Sequence, residues 1–206
     1  MIIKSLTNIQ KKSMVKYTIS HFKLDKGAIT MILSYKNHYP IIDTTAYIAH
    51  NATVSGDVKI GAHSSVWYGT TIRGDVSPTI IGEKVNIQDH SILHQSPNTP
   101  LILEDEVTIG HQVILHSCTI KKKALIGMGS IILDGAEIGE GAFIGAGSLV
   151  SQGKKIPPNT LAFGRPAKVI RTLTQEDIAD MERISREYAE KAVLYKKEEE
   201  NQINKK

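Results

Sequence analysis

A chain of 206 residues that is 41% hydrophobic and 22% charged can bury one substantial core, and its single cysteine, Cys118, excludes an internal disulfide framework. The net charge of +4 invites a nucleic-acid reading, but residues 1–30 hold six lysines against one aspartate and so carry +5, leaving −1 for residues 31–206 and no basic excess to neutralise phosphates. No stretch is apolar for long enough to cross a bilayer, so the expectation is a soluble, cytoplasmic protein of a reducing compartment that binds neither nucleic acid nor membrane.

Residues 1–30 lack the continuous apolar core of a secretory signal and contain no arginine, which argues against a transit peptide. They read as a tail. The codons of Lys26-Gly27-Ala28 can form a ribosome-binding purine run shortly before Met31, which places a candidate natural start there.

From residue 31 to 170 the chain reads as one repeat domain. Branched apolar residues fall every six positions at Ile42, Ile48, Val54, Ile60, Val66 and Ile72, then at Ile81, Ile87 and Leu93, then at Leu103, Ile109 and Leu115. A fourth run follows at Ile120, Ile126, Ile132, Ile138, Ile144, Val150 and Ile156. Four positions after these anchors the residue is small or β-branched, as at Ala46, Ala52, Ser64, Val113, Ser130 and Ser148, and glycine often follows the anchor directly, as at Gly61, Gly110 and Gly139. A period of six suits neither a helix nor a plain alternating strand; it suits a short strand plus a corner, three to a triangular coil of about 18 residues stacked at about 4.8 Å. The glycines are expected to supply backbone freedom at the bends. Over roughly residues 42–170 this pattern resembles the hexapeptide-repeat family, and the resemblance implies an all-β, left-handed parallel β-helix. The pairs Gly127-Met128-Gly129 and Gly145-Ala146-Gly147 lack the third glycine of a nucleotide loop and fall on the repeat register, so corners explain them.

Pro157-Pro158 and Pro166 lead out of the coil. Residues 171–206 then form a C-terminal helix and tail: Thr174 and Asp177 resemble a capping box, and Ile178, Met181, Ile184, Tyr188, Ala192 and Tyr195 make one apolar stripe that should pack alongside the coil. The closing KKEEENQINKK is expected to fray.

Register also predicts neighbours. Arg73, His94 and His116 each follow an anchor of the same face by one residue, in successive coils, and should form a column. Asp89 and His111 each follow an anchor of the preceding face by two. Two stacked imidazoles can lean onto one ion, since metal–nitrogen bonds are about 2.0–2.1 Å long. His111 starts from another face, and a threefold trimer would bring it to His94 and His116 of the next subunit. Three histidines with an open fourth position make a catalytic arrangement, in which the ion lowers the pKa of a bound water to about 7. The spacing of His111 and His116 does not match the helical His-x-x-x-His of zinc proteases.

The segments Ile72-Arg73-Gly74-Asp75, Asn86-Ile87-Gln88-Asp89, Leu93-His94 and Gly110-His111-Gln112-Val113-Ile114-Leu115-His116 together resemble γ-class carbonic anhydrases. That resemblance implies reversible hydration of carbon dioxide to bicarbonate in a homotrimer, with zinc, or ferrous iron or cobalt, on His94, His111 and His116 between subunits. It implies that Arg73 and Asp89 bridge subunits with Asp75 beside them, that Gln88 positions the metal-bound water, and that Asn86 supports Gln88. The sequence departs from the family's archetype at Val76 and at the short loop Ser96-Pro97-Asn98-Thr99-Pro100, where acidic proton-transfer residues would stand. It also reads Leu161-Ala162-Phe163 where some relatives carry a tyrosine. Proton export, needed every turnover, falls to no assigned group, with His63 and His90 as candidates. Two rivals stay open: acyl-coenzyme A transfer or thioester chemistry on the same repeat, and a non-catalytic trimeric scaffold held by its ion.

Overall fold

A six-residue period becomes a solenoid when each short strand pairs in parallel with the strand one coil on. In the computed structural model, which describes residues 31–203, Leu125 pairs with Phe143, Ile131 with Leu149 and Glu137 with Lys155, each eighteen positions later. The result is a left-handed parallel β-helix of about seven turns, with one C-terminal helix beside it. The readings of residues 1–30 as a tail and of 204–206 as part of a frayed end lie outside the described residues.

Each coil presents three faces. Asn86–Ile87 lies on the first, Ile92–His94 on the second and Leu101–Leu103 on the third. The second and third faces belong to one continuous sheet, because the strands Thr53–Ile60 and Thr71–Ile81 turn the corner between them without a break. Every anchor except Ile48 is buried, and Ile48 packs against the core from a half-buried position. Each such burial contributes about 1.5–3 kcal/mol, so the column of aliphatic side chains down the axis is the main source of stability. The small residues four positions on, such as Ala52, Val113, Ser130 and Ala142, are buried inside the corners.

The corner glycines act differently from the sequence expectation. Backbone with positive φ falls three residues after an anchor, at His63, Lys84, His90, Glu106, Gln112, Lys123 and Asn159 as well as at Gly129 and Gly147. The glycines that directly follow an anchor serve close approach instead: a Cβ on Gly110 would stand 2.7 Å from the Met128 amide nitrogen, and one on Gly139 would stand 2.5 Å from the Pro158 nitrogen. Stacked corners at this spacing leave no room for a side chain.

The repeat breaks at one place only in each of three coils. Ile72 and Ile81 are nine positions apart, Leu93 and Leu103 ten, and Leu115 and Ile120 five, all at the corner between the second and third faces. Ile120 onward keeps the six-residue step.

The last parallel strand, Thr160–Gly164, also forms an antiparallel hairpin with Ala167–Thr172, and the chain then enters helix α1, Gln175–Ile203. The capping box forms: the Thr174 amide donates to Asp177 Oδ2 at 2.7 Å and the Asp177 amide to Thr174 Oγ1 at 3.2 Å. Arg171 and the Thr174 amide hold the Asp177 carboxyl well below the usual carboxylate range. From there α1 runs back along the first face toward the early coils, packing on Tyr47–Ile48, Ser65–Val66 and Asn86–Ile87, with Met181 and Ala192 buried. The end expected to fray continues as helix to Ile203, because its polar side chains find partners on the coil. Lys196 Nζ donates to the carbonyls of Thr44 and Ala46, and Glu199 Oε1 accepts from the hydroxyls of Tyr47 and Tyr68, each at 3.0 Å. Among the described residues, no helix is long and apolar enough to cross a membrane.

Candidate metal centre

The predicted column forms. Ile114, Leu115 and His116 pair in register with Ile92, Leu93 and His94, and Leu93 in turn pairs with Ile72, which sets Arg73 one coil before His94. The outward side chains at these positions leave the coil just where the inserted corners begin, so they stand at the rim of the irregular edge rather than on a continuing flat face.

The two imidazoles face one another. His94 Nδ1 and His116 Nε2 lie 3.2 Å apart, and the ring centroids are 5.2 Å apart at a 51° tilt. Each ring's other nitrogen meets a carboxylate: His94 Nε2 is 3.0 Å from Asp75 Oδ1, and His116 Nδ1 is 2.6 Å from Asp134 Oδ1. With the outer nitrogens occupied by acceptors, the inner ones carry the lone pairs available to an ion. An imidazole that ligates a metal through one nitrogen and donates from the other to a carboxylate is the common arrangement of metal sites, so these residues fit one.

Asp75 does a second task. Its Oδ2 accepts from Arg73 Nη1 at 2.5 Å, so one carboxylate links the guanidinium to the first imidazole. Burial pushes the Asp75 carboxyl up, but the hydrogen bond from His94 and the charge of Arg73 outweigh it and hold the group below its ordinary range. At Asp134 the hydrogen bond from Ser96 outweighs burial and, with His116, also lowers the carboxyl. Within the chain Arg73 therefore meets Asp75, whereas Asp89 turns to the third histidine.

His111 sits on the preceding face, as its register requires: Thr108 and Ile109 pair with Asn86 and Ile87, which sets Asp89 beside His111. His111 Nδ1 is 2.8 Å from Asp89 Oδ2, and its Nε2 is 3.2 Å from the Tyr188 hydroxyl of α1. Among the described residues, no three His, Cys, Asp or Glu side chains of the single chain converge on a point suited to a metal ion. The chain thus presents a pair, His94 and His116, and a separate third imidazole, His111, which is 40% exposed.

Gln88 and Asn86 are both buried. Gln88 Nε2 donates to Asn86 Oδ1 at 3.2 Å, and Asn86 Nδ2 donates to Thr108 Oγ1 at 2.8 Å. Neither His63 nor His90 gives its ring to the site's side chains among the described residues; both are corner residues with positive φ, and the His90 ring lies over Gly69, where a Cβ would stand 2.4 Å from Nδ1. Cys118 is fully buried and burial pushes its thiol up, which removes it as a ligand or nucleophile.

Two participants escaped the sequence reading. Asp134 follows Ile132 by two residues, and Ile132 pairs with Leu115, so counting one coil further along the histidine column would have found it. Tyr188 carries no such signal: burial pushes its hydroxyl pKa up, with the charge of Asp89 adding to it, but its meeting with His111 depends on where along the coil the helix lies.

Residues 117–152 match the model of the bacterial transferase hexapeptide family (six repeats). The chain is 66% identical over 166 residues to the carbonic anhydrase of Geobacillus kaustophilus, a match spanning 81% of this chain and 91% of that one. It is 39% identical over 171 residues to mitochondrial gamma carbonic anhydrase 1 of Arabidopsis thaliana, over 80% of this chain and 62% of the relative. The crystal structure of a Bacillus cereus protein described as a candidate acetyltransferase superposes with a TM-score of 0.81 at 71% identity, covering 82% of this chain and 98% of that one.

Proposed function

Because the chain belongs to the γ-class carbonic anhydrase family of hexapeptide-repeat β-helix proteins, we propose that it catalyses the metal-dependent, reversible hydration of carbon dioxide to bicarbonate at a site shared between subunits of a homotrimer. The observation that carries this reading is the converging pair of ring nitrogens, His94 Nδ1 and His116 Nε2, each ring backed by a carboxylate on its far side. The third donor is His111 of a second copy. A divalent ion held there, zinc, ferrous iron or cobalt, supplies the Lewis acidity that makes water a nucleophile at neutral pH.

The chain's own groups do the rest. Gln88, itself buried and fixed by Asn86, presents an amide that can orient water or carbon dioxide. Arg73 is 49% exposed in the single chain and would gain a second carboxylate, Asp89 of the neighbour, on assembly. Ile92 and Ile114, on the strand face that bears the histidine pair, and Met128, in the corner beside His111, are exposed apolar side chains that support burial against another copy. Proton export passes to solvent through groups at this rim, where Asp89 and Tyr188 both touch His111.

Stopped-flow hydration of carbon dioxide by protein loaded anaerobically with zinc or with ferrous iron tests the activity, and mixing His94→Ala with His111→Ala chains tests the shared geometry. Partial recovery of metal sites in the mixed trimers is expected, and no recovery would refute a shared site. Acyl transfer is the second reading, favoured by the description of the Bacillus cereus structure; turnover of an acyl-coenzyme A by metal-free protein would support it against hydration.

A further inference from the structure

We propose that Asp134 is a positioning residue: it fixes the tautomer and ring orientation of His116, and the inserted loop at Ser96–Pro100 exists in part to hold it. The inference rests on the metal reading above and goes beyond it to a residue which that reading does not require.

Both carboxylate oxygens of Asp134 have separate partners. Oδ1 lies 2.6 Å from His116 Nδ1, and Oδ2 accepts from Ser96 Oγ at 2.5 Å. Ser96 is itself fixed: its amide donates to Ser117 Oγ at 2.6 Å, Ser117 Oγ donates to the Thr99 carbonyl at 2.9 Å, and Ser96 and Thr99 bridge across the loop. Ser117 is buried, so this chain of contacts anchors the loop to the coil interior.

The chemical consequence follows from imidazole. A neutral ring carries its proton on either nitrogen, and an acceptor oxygen at Nδ1 commits that proton to Nδ1 and the lone pair to Nε2. His116 Nε2 is the nitrogen that faces His94. The register positions equivalent to Asp134 in neighbouring coils hold Gln95, Ser117 and Gln152, so a carboxylate stands only in the coil that follows His116. The four extra residues between Leu93 and Leu103 bring Ser96 to the carboxylate's free oxygen.

The test uses the full chain and two readouts. Nitrogen-15 correlation spectra of the imidazoles in zinc-free protein report the tautomer, and competition with a chelator reports zinc affinity. Wild-type protein is expected to show His116 protonated at Nδ1. Asp134→Ala should lose that signature and bind zinc about 10–100-fold more weakly. Asp134→Asn, whose amide oxygen still accepts from Nδ1, should keep the tautomer and fall between. Ser96→Ala, which leaves ring and carboxylate in place, should weaken zinc binding by a smaller factor. The proposal is overturned if Asp134→Ala, or Asp134→Asn and Ser96→Ala together, leaves both the tautomer and the affinity at wild-type values while His116→Ala abolishes binding. If His116→Ala also retains the ion, the metal reading itself fails.

Discussion

The coils from Ile120 to Ile156 and those from Ile72 to Leu115 are built from the same six-residue unit, yet they do different work. The later coils keep an unbroken step, with eighteen residues between paired strands. The earlier ones gain or lose residues at one corner in three successive turns, and Arg73, His94 and His116 stand immediately before those three breaks. Regular repetition buries the anchors, stacks the corners and sets outward side chains one coil apart, as with Glu137 and Lys155. Interrupting the step at one edge frees that edge to hold carboxylates and a loop beside the imidazoles, while the interior column runs on beneath it.

The comparison can be broken by crossing the two kinds of substitution. His94→Ala should reduce carbon dioxide hydration to the uncatalysed background while the denaturant midpoint of the metal-free protein barely moves; a large fall in that midpoint would show the irregular edge to be structural after all. Ile144→Ala, in the regular coils, should do the reverse, costing about 2–5 kcal/mol in unfolding free energy through the cavity it leaves, with turnover per folded site unchanged. Gly139→Ala should cost about 1–3 kcal/mol, since its Cβ would press on the Pro158 nitrogen and the Ile156 carbonyl; thermal unfolding checks this. Thr174→Ala, outside both regions, should cost about 1 kcal/mol by loss of the helix cap, seen as earlier melting of α1.

A pH dependence sharpens the last case. Asp177 has its folded-state pKa depressed below the ordinary value of 3.8, so its contribution to stability is complete above that value and is lost as pH falls through the folded-state value. Asp177→Asn should therefore flatten the acid limb of stability below about pH 4 and leave the neutral region nearly flat, as measured by chemical denaturation across pH.

Much of this architecture was legible because register in a solenoid is arithmetic. Counting sixes put His116 over His94 and set Asp89 beside His111, and pairing gave both. The same counting explains why glycine sits after an anchor, although the reason proved to be contact between stacked corners rather than freedom of the backbone. What counting could not supply was partner choice. Asp75 and Asp89 were both open to Arg73, and within the chain Asp75 takes the guanidinium while Asp89 meets His111. Side chains choose among several acceptors at the same level, and that choice depends on rotamers no spacing encodes.

Tyr188 marks the limit most clearly. Helix α1 rises about 1.5 Å per residue and the coils about 4.8 Å each, so the eleven residues from Tyr188 to Glu199 cover about 16 Å, close to the three coils between His111 and Tyr47. The stripe itself was readable. Its level was not, because it depends on the hairpin that reverses the chain and on the contacts of Lys196 and Glu199 that moor its far end. By itself the amino-acid order determined the coil, the buried anchors and the stacked pair of imidazoles, since each follows from a local period repeated without long-range choice. Tertiary structure decided which carboxylate Arg73 meets and where the returning helix meets the coil, because those outcomes depend on side-chain rotamers and on distances between segments far apart in the chain.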